Sequence, residues 1–488
     1  MRWFVLTAFV ACSYAWAVGW QSGPPGGKEG RYCEPDGVTC ELLYYNNVSE
    51  ELQPDGRQRS GPVWRQIEGP LREALPGLVR LYQQLHAEPE LSLQEEKTAA
   101  RLAEQMRRLG WEVTEKVGGH GVVAVLKNGP GPVVLVRTDM DALPIVEQTG
   151  LPYASRVRSK DRFGQEVGVM HACGHDIHMA CWVGTAQVLT ALRQQWSGTL
   201  VFVAQPAEEI VAGARRMLED GLYRRFPKPD YALALHCDAQ LPAGMVAYRA
   251  GLALAAADAV DIVVKGKGGH GAAPHLTVDP VVLAARIILD LQTIVSREVN
   301  PLEPVVITVG SIHGGTKHNI IPNEVRLQLT VRTTRTETRD QVLRAIERLC
   351  RAAAQGARAP EPEVRVHLDE YTPPTVNDPV LTERCVGVFR AVLGAANVRE
   401  RPPVMGAEDF GRFAAENTPI FLFFLGTVEP ELFAAAQKPD APPLPGLHSD
   451  RFAPVPEPTL RTGVRCMAAA VLDLLTDKNN PATSPKKE

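Results

Sequence analysis

The sequence predicts an α/β protein in which a mostly parallel central sheet is interrupted by an inserted α+β unit. Short apolar runs rich in β-branched residues, such as "GTLVFVAQ", alternate with helical segments such as "MACWVGTAQVLTALRQQW". That alternation is typical of an α/β layer. Between residues 255 and 368 the order changes to β-α-β-β-α-β, which is the ferredoxin-like arrangement. With 488 residues, the chain is long enough for two or three domains.

The first residues carry an export pattern. "MRWFVLTAFVACSYAWA" has one Arg, an apolar run and an Ala-Trp-Ala site, so residues 1–17 predict a cleavable signal peptide and a secreted or periplasmic protein. A retained anchor is the alternative, because only one positive charge precedes the apolar run. Residues 18–70 are predicted to be an N-terminal extension, in which Cys33 and Cys40 are close enough in sequence to pair in an oxidising compartment.

The elements of the main layer follow along residues 71–254 and 371–476. Helical periods occur in "LREALPGLVRLYQQLHAEPE" and in "EEKTAARLAEQMRRLGWEV". The runs "GVVAVLK" and "PVVLVRTD", separated by Asn-Gly-Pro-Gly, predict a hairpin. Residues 255–370 form the inserted unit, and residues 477–488 are predicted to be a disordered tail.

Composition and charge exclude two classes of partner. The formal net charge is -4, and no basic patch is interleaved with aromatic residues, so the sequence predicts no nucleic-acid partner. After the first twenty residues no segment is long and apolar enough to span a bilayer. We therefore expect no stable membrane insertion.

Polar side chains follow several apolar runs at the point where each run ends. "VVLVRT" leads into Asp139-Met140-Asp141, "LVFVAQPA" leads into Glu208-Glu209, and "YALAL" leads into His236-Cys237, while "MHACGHD" precedes a helix. A single group of this kind would be a turn or a helix cap. Because the carboxyl ends of parallel strands meet at one edge of a sheet, four such groups together predict a shared metal site.

The residue types in this set indicate the metal and the chemistry. Imidazole, carboxylate and thiolate bind Zn²⁺ well and Mn²⁺ or Co²⁺ acceptably, and the number of candidates favours two divalent ions per subunit. Such pairs of ions generate hydroxide and polarise a carbonyl group in hydrolases. Glu208 and Glu209 then divide two tasks, one binding metal and one activating water. A nucleophilic Cys173 is the competing interpretation, but it would need a free thiolate and an oriented base.

Six motifs occur in order along the chain: "RTDMDALPIVEQTG", "MHACGHDIHMA", "FVAQPAEE", "GKGGHGAAPH", "HNIIPNEV" and "MGAEDFGRF". In this order and spacing the chain resembles the M20 metallopeptidases, from about residue 75 to residue 475. The branch it resembles contains hippurate hydrolases, N-acyl-amino-acid amidohydrolases and indoleacetyl-amino-acid hydrolases. The resemblance implies a metallopeptidase catalytic domain that is interrupted by a ferredoxin-like lid or dimerisation domain.

The resemblance also implies a role for each matched residue. Glu208 matches the general base, and Asp139 and Asp141 match carboxylates that orient groups beside the metal. Glu408 and Asp409 either cap a helix or face the site. His171 and His178 are not assigned by the resemblance, and we expect them to lie either beside the ligands or on the surface of the helix. The implied metal ligands are Cys173, which two ions would share, His175, Glu209, His236 and His448.

The inserted unit matches the lid or dimerisation domain of the family. His270 resembles a histidine that reaches an active site, often that of the partner subunit, and steadies the tetrahedral oxyanion. Asn319 and Arg332 match positions that hold the carboxylate of the substrate, for which a planar guanidinium is suited. Residues 255–370 are therefore the surface through which a homodimer would form.

These inferences predict a binuclear, metal-dependent amidohydrolase. It would cleave the amide bond of N-acyl-L-amino acids into a carboxylic acid and an amino acid, with Glu208 activating the attacking water. A dipeptidase or carboxypeptidase of the same superfamily is the nearest alternative, because its metal site would be alike. A non-catalytic metal-binding protein is a third hypothesis, which the complete ligand set and Glu208 oppose.

Overall fold

The computed structural model describes residues 63–476. The predicted signal peptide, most of the N-terminal extension with Cys33 and Cys40, and the tail at residues 477–488 lie outside the described residues and stay predictions.

In chain order the strands are β1 (Glu112–Val117), β2 (Gly121–Asn128), β3 (Val133–Asp139), β4 (Arg158–Lys160), β5 (Glu166–Gly168), β6 (Gly198–Gln205), β7 (Tyr231–Pro242), β8 (Val246–Tyr248), β9 (Gly251–Leu254), β10 (Ala256–Lys265), β11 (Gly269–His270), β12 (Val305–Gly314), β13 (Ile320–Ile321), β14 (Glu324–Thr333), β15 (Glu363–Thr372), β16 (Thr375–Asn377), β17 (Val398–Glu400) and β18 (Ile420–Val428). The helices are α1 (Glu68–Ala87), α2 (Glu96–Arg108), α3 (His175–Ala191), α4 (Gly213–Glu219), α5 (Leu222–Arg225), α6 (Pro280–Thr293), α7 (Thr336–Gly356), α8 (Pro379–Leu393), α9 (Pro430–Ala436) and α10 (Pro456–Thr476).

The central sheet has the strand order β1-β2-β6-β3-β7-β18-β8-β17. Its middle strands β6, β3, β7 and β18 run parallel to one another, while β2 pairs antiparallel with both β6 and β1. Parallel strands with both faces covered are apolar throughout, and every residue of β18 is buried. The prediction of an α/β fold with a mostly parallel central sheet is confirmed.

Helices α1, α3 and α10 cover one face of this sheet. α3 packs against the sheet and against both other helices, and its residues are buried along most of its length. The polar first turn of α3 is therefore enclosed at the edge of the sheet, where buried charged groups need partners. Among residues 63–476, no helix has the length and apolar character needed to cross a membrane.

The predicted hairpin between "GVVAVLK" and "PVVLVRTD" is wrong, because β6 lies between β2 and β3. The connecting loop crosses the start of β6, where a Cβ atom on Gly131 would meet the backbone of Gly198 at 2.9 Å. β2 instead pairs with β1. The helix predicted through "RRLGWEV" ends at Arg108, and Gly110, with φ of 78°, leads into β1.

The inserted unit has its own antiparallel sheet with the order β12-β14-β10-β15. Its main elements follow the chain order β10-α6-β12-β14-α7-β15, as the sequence predicts for a ferredoxin-like unit. α6 and α7 contribute to a separate apolar cluster with these strands. The predicted domain boundaries, and the use of this unit as a lid or dimer surface, stay predictions.

Candidate metal centre

The predicted site residues lie at one edge of the central sheet, where its parallel strands end. β3 ends at Asp139, and β6 ends at Gln205, three residues before Glu208. His236 lies in β7 beyond the part of that strand that pairs with β3. Because these strands are parallel, their carboxyl ends bring the side chains to one place.

Five side chains surround a common space at this edge. The ligand atoms of Cys173, His175 and His236 lie within 4.8 Å of one another, as do those of Cys173, Glu209 and His448. The Cys173 Sγ atom is 3.6 Å from His236 Nε2, and His448 Nε2 is 3.5 Å from Glu209 Oε2. Cys173 belongs to both sets. A ligand that two ions share would occupy this position between them.

Backbone carbonyl groups set the tautomers of two of these histidines. His175 Nδ1 lies 2.7 Å from the carbonyl oxygen of Asp141, and His236 Nδ1 lies 2.8 Å from that of Cys237. A carbonyl oxygen only accepts hydrogen bonds, so each Nδ1 carries the hydrogen. The Nε2 lone pairs of both rings are thereby available to a metal ion, as in other histidine ligands.

The other two histidines of the "MHACGHDIHMA" motif have different surroundings. His178 Nε2 accepts the N–H of Cys237 at 2.8 Å, and its Nδ1–H donates to Asp139 at 2.6 Å. Both nitrogens of His178 are therefore used within the protein. His171 is buried, and neither ring nitrogen has a hydrogen-bond partner among the described residues.

Gly174 separates the two candidate ligands of the "ACGH" sequence. It has φ of 82° at the start of α3, a conformation that favours glycine. A Cβ atom at this position would lie 2.7 Å from Cys237 Sγ. The absence of a side chain therefore lets Cys173 and His175 approach β7 closely.

Asp141 holds the backbone of the two adjacent glutamates. Its Oδ1 accepts the N–H of Glu208 and its Oδ2 accepts the N–H of Glu209, both at 3.0 Å. Ser92 Oγ–H donates to the same carboxylate at 2.6 Å. Asp141 thus orients the Glu208-Glu209 turn through the backbone, and its carbonyl oxygen orients His175.

The charges around this space favour a bound cation. Burial lowers the pKa of His175, but Asp139, Asp141 and Glu209 outweigh burial and raise that pKa to about 10. Burial, followed by the charges of Glu408 and Glu209, raises the pKa of Glu208 well above its usual range. Several buried carboxyl groups thus lie close together around this space. A bound divalent ion would supply positive charge to balance them.

The residues present fit a metal ion. His175 Nε2 and Glu209 Oε1 are buried without hydrogen-bond partners and lie 3.7 Å apart. Buried polar atoms without partners are rare in proteins. Two ligand atoms each about 2.1 Å from a tetrahedral Zn²⁺ are about 3.4 Å apart, close to the separations observed. The thiol, imidazole and carboxylate donors are those that zinc prefers.

A buried arginine that the sequence analysis missed connects three carboxyl groups behind the site. Arg137 donates to Asp139 at 2.8 Å, to Glu408 at 2.9 Å and to Asp409 at 3.2 Å. Glu408 also accepts the N–H of Phe410, so it caps the following turn and lines the cavity as well. The signal in the sequence was a charged residue inside the apolar run "VVLVRTD".

The ligand cluster opens into a cavity of about 510 Å³. Arg332 reaches this cavity from β14, and its Nη1 donates to the carbonyl oxygen of Met405 at 2.9 Å. His270 and Asn319 are not among the residues that line it. Both are exposed residues in or beside the β11–β13 pair, where the Asn319 carbonyl oxygen accepts the N–H of Gly271.

Residues 135–442 match the model of peptidase family M20/M25/M40. Thermostable carboxypeptidase 1 of Saccharolobus solfataricus is 37% identical over 369 residues, covering 74% of this chain and 88% of that protein. Hippurate hydrolase of Campylobacter jejuni is 36% identical over 339 residues, covering 68% of this chain and 84% of the relative. The structure of the Bacillus subtilis YXEP protein, described as a dinuclear metal binding peptidase from the M20 family, is 30% identical with a TM-score of 0.66, covering 83% of this chain and 99% of that one.

These matches confirm the predicted resemblance to the M20 metallopeptidases and their amidohydrolase branch. The family model covers the strands and turns that carry Asp139 and all but one of the candidate ligands. His448 lies six residues beyond the matched range, in the same ligand cluster. The chain belongs to peptidase family M20/M25/M40 and is a metal-dependent hydrolase of amide or peptide bonds.

Proposed function

We propose that the chain is a binuclear amidohydrolase that cleaves N-acyl-L-amino acids, such as hippurate, into a carboxylic acid and an amino acid. One observation carries this proposal. Cys173 belongs to two adjacent ligand sets, and Glu208 lies beside both of them in the wall of the same cavity. A metal pair with a nearby carboxyl group is the arrangement that hydrolysis by activated water requires.

In this proposal Cys173, His175, Glu209, His236 and His448 hold two divalent ions, with Zn²⁺ favoured and Mn²⁺ or Co²⁺ as alternatives. When bound, the ions polarise the substrate carbonyl and make water more acidic. Glu208 takes the proton of the attacking water and transfers it to the nitrogen of the leaving amine. Burial and the nearby carboxylates, which raise the pKa of Glu208, suit a group that must hold this proton.

The charge of Arg332 supports a substrate that carries a free carboxylate. Among the described residues Arg332 donates to a backbone carbonyl but pairs with no acidic side chain. Arg401, the other arginine of the cavity, donates to Asp238 at 2.7 Å and packs over the ring of Phe424. The positive charge of Arg332 is therefore the one left for the α-carboxylate of an amino acid.

We expect Arg332→Ala to raise KM for an N-acyl amino acid by about 10- to 100-fold, because a hydrogen bond to a charged group is lost. kcat should change much less than KM. The matched control is the same substrate with its carboxylate converted to an amide, on which wild type and variant should differ little. Equal KM values for the carboxylate substrate in both proteins would show that Arg332 does not bind this group.

A carboxypeptidase or dipeptidase activity is the second candidate, favoured by the similarity to thermostable carboxypeptidase 1. A C-terminal residue of a peptide would present the same carboxylate to Arg332. A panel of acyl-amino acids and dipeptides that share one leaving amino acid separates the two functions. Higher kcat/KM on the acyl-amino acids supports the amidohydrolase, and higher kcat/KM on the peptides supports the alternative.

We also propose that His270 and Asn319 act at the cavity of a partner subunit in a homodimer formed through residues 255–370. Both residues are exposed, and neither lines the cavity of its own chain. They lie in the inserted unit. Its strand β12 pairs with β14 on one side and with no other strand of the described residues on the other side. A residue that completes a neighbouring site must be exposed in this way.

Complementation between two inactive variants tests the shared site. His270→Ala and Glu208→Gln homodimers should both be nearly inactive. A heterodimer of the two, co-expressed with different tags and purified through both, contains one intact site and should recover about half of the wild-type activity. A heterodimer as inactive as its parents, or an active His270→Ala protein, would contradict the proposal.

A further inference from the structure

Two buried carboxyl groups hold the turn that carries Glu208 and Glu209 by accepting three successive backbone N–H groups. The N–H of Ala207 donates to Glu95 Oε1 at 2.8 Å, and those of Glu208 and Glu209 donate to the two oxygens of Asp141. Ala207 has φ of 53°, which few residues other than glycine adopt. Such a conformation persists where the surroundings enforce it.

The surroundings come from a segment more than a hundred residues earlier in the chain. Ser92 donates its hydroxyl hydrogen to Asp141, and Glu95 Oε1 accepts the N–H of Leu93 at 2.9 Å as well as that of Ala207. Glu95 is fully buried at the start of α2, and it does not line the cavity. Its hydrogen bond to Ala207 is therefore its direct link to the Glu208-Glu209 turn.

The cost of burying Glu95 indicates that its acceptor oxygen is needed. Its Oε2 atom is buried with no hydrogen-bond partner among the described residues, an arrangement that destabilises a fold. Burial and the charge of Asp141 raise the pKa of Glu95 to about 8, so the group is largely neutral at pH 7. A glutamine would keep both the neutral charge and the carbonyl oxygen that accepts from Ala207.

We propose that Glu95 is a positioning residue, which fixes the Ala207–Glu209 turn and thereby sets the approach of Glu208 to the substrate. The proposal rests on the proposed hydrolase function, in which Glu208 is the base. Displacement of such a group by about 1 Å can lower a rate by about 100-fold without changing substrate binding. Because Asp141 still holds Glu208 and Glu209, loss of Glu95 should loosen the turn and leave the ligands in place.

The test compares Glu95→Gln, Glu95→Ala and Glu95→Leu in the metal-loaded protein. Ala and Leu remove the acceptor, and Leu also fills the space, so it carries the test if the Ala variant does not fold. We expect both to lower kcat by about 10- to 100-fold with KM within about twofold of wild type and with unchanged metal content. Glu95→Gln should stay within about threefold of wild type. The control Glu96→Ala changes the exposed neighbour and should have no effect.

Amide hydrogen exchange separates failure of this proposal from failure of the proposed function. In the Ala and Leu variants a peptide containing residues 207–209 should exchange faster than in wild type and in Glu95→Gln, whichever substrate the enzyme uses. If wild type hydrolyses no acyl-amino acid, this readout alone decides the role of Glu95. Wild-type kcat and wild-type exchange in the Leu variant would overturn it, as would equal loss of activity in Glu95→Gln.

Discussion

Glu208→Gln should retain its metal ions and lose about 10²- to 10⁴-fold in kcat on an N-acyl amino acid, the usual contribution of a general base. The substitution keeps the size of the side chain and removes its ability to accept a proton from water. The backbone of the turn should be unaffected, because Asp141 binds the N–H of residue 208 and not its side chain. The measurement is steady-state kinetics together with metal analysis of the same sample.

The neighbouring Glu209→Gln variant is the matched comparison. Glu209, unlike Glu208, belongs to the candidate ligand set with Cys173 and His448, and its Oε1 has no hydrogen-bond partner among the described residues. This variant should therefore lose metal as well as activity. If Glu208→Gln turned over substrate at the wild-type rate, or if it lost metal to the same extent as Glu209→Gln, the assignment of the base would be wrong.

The second large effect is expected for Cys173→Ala, which should lower both the metal content and the thermal stability of the protein. Cys173 is common to two ligand sets, so its loss should release at least one ion and lower activity by more than about 10²-fold. A ligand present at about 100 times its Kd stabilises the folded state by about 2.7 kcal/mol. A chelator should therefore lower the Tm of wild type and change that of the variant much less.

Cys237→Ala is the control for this experiment. Cys237 is buried beside Gly174 and is absent from every candidate ligand set among the described residues. It should keep its metal and most of its activity, with a Tm that still responds to chelator. A Cys173→Ala protein with full metal content would show that the thiol is not a ligand.

The location of the site could be predicted from the sequence because parallel strands end at a common edge. Asp139, Glu208 and His236 each follow an apolar run, and this pattern needs no knowledge of distances. The "ACGH" sequence added a pair of candidate ligands at the start of α3. The order of elements in the inserted unit was predicted equally well, because each of the four strands of its sheet is 10 residues long.

Contacts between distant parts of the chain could not be predicted in this way. Arg137 pairs with Glu408 across 271 positions, and Glu95 reaches Ala207 across 112, so neither contact leaves a local pattern. The false hairpin had the same cause: the Asn-Gly connection indicated a local pairing, but β6 entered between the two strands from later in the chain.

Restoring metal to the metal-free protein while measuring hydrolysis of an N-acyl amino acid tests the proposed binuclear mechanism most directly. We predict no turnover in the metal-free protein and a rise in activity that reaches its maximum near two Zn²⁺, Mn²⁺ or Co²⁺ ions per chain. Full activity in the presence of a strong chelator, with no metal detected in the protein, would contradict it.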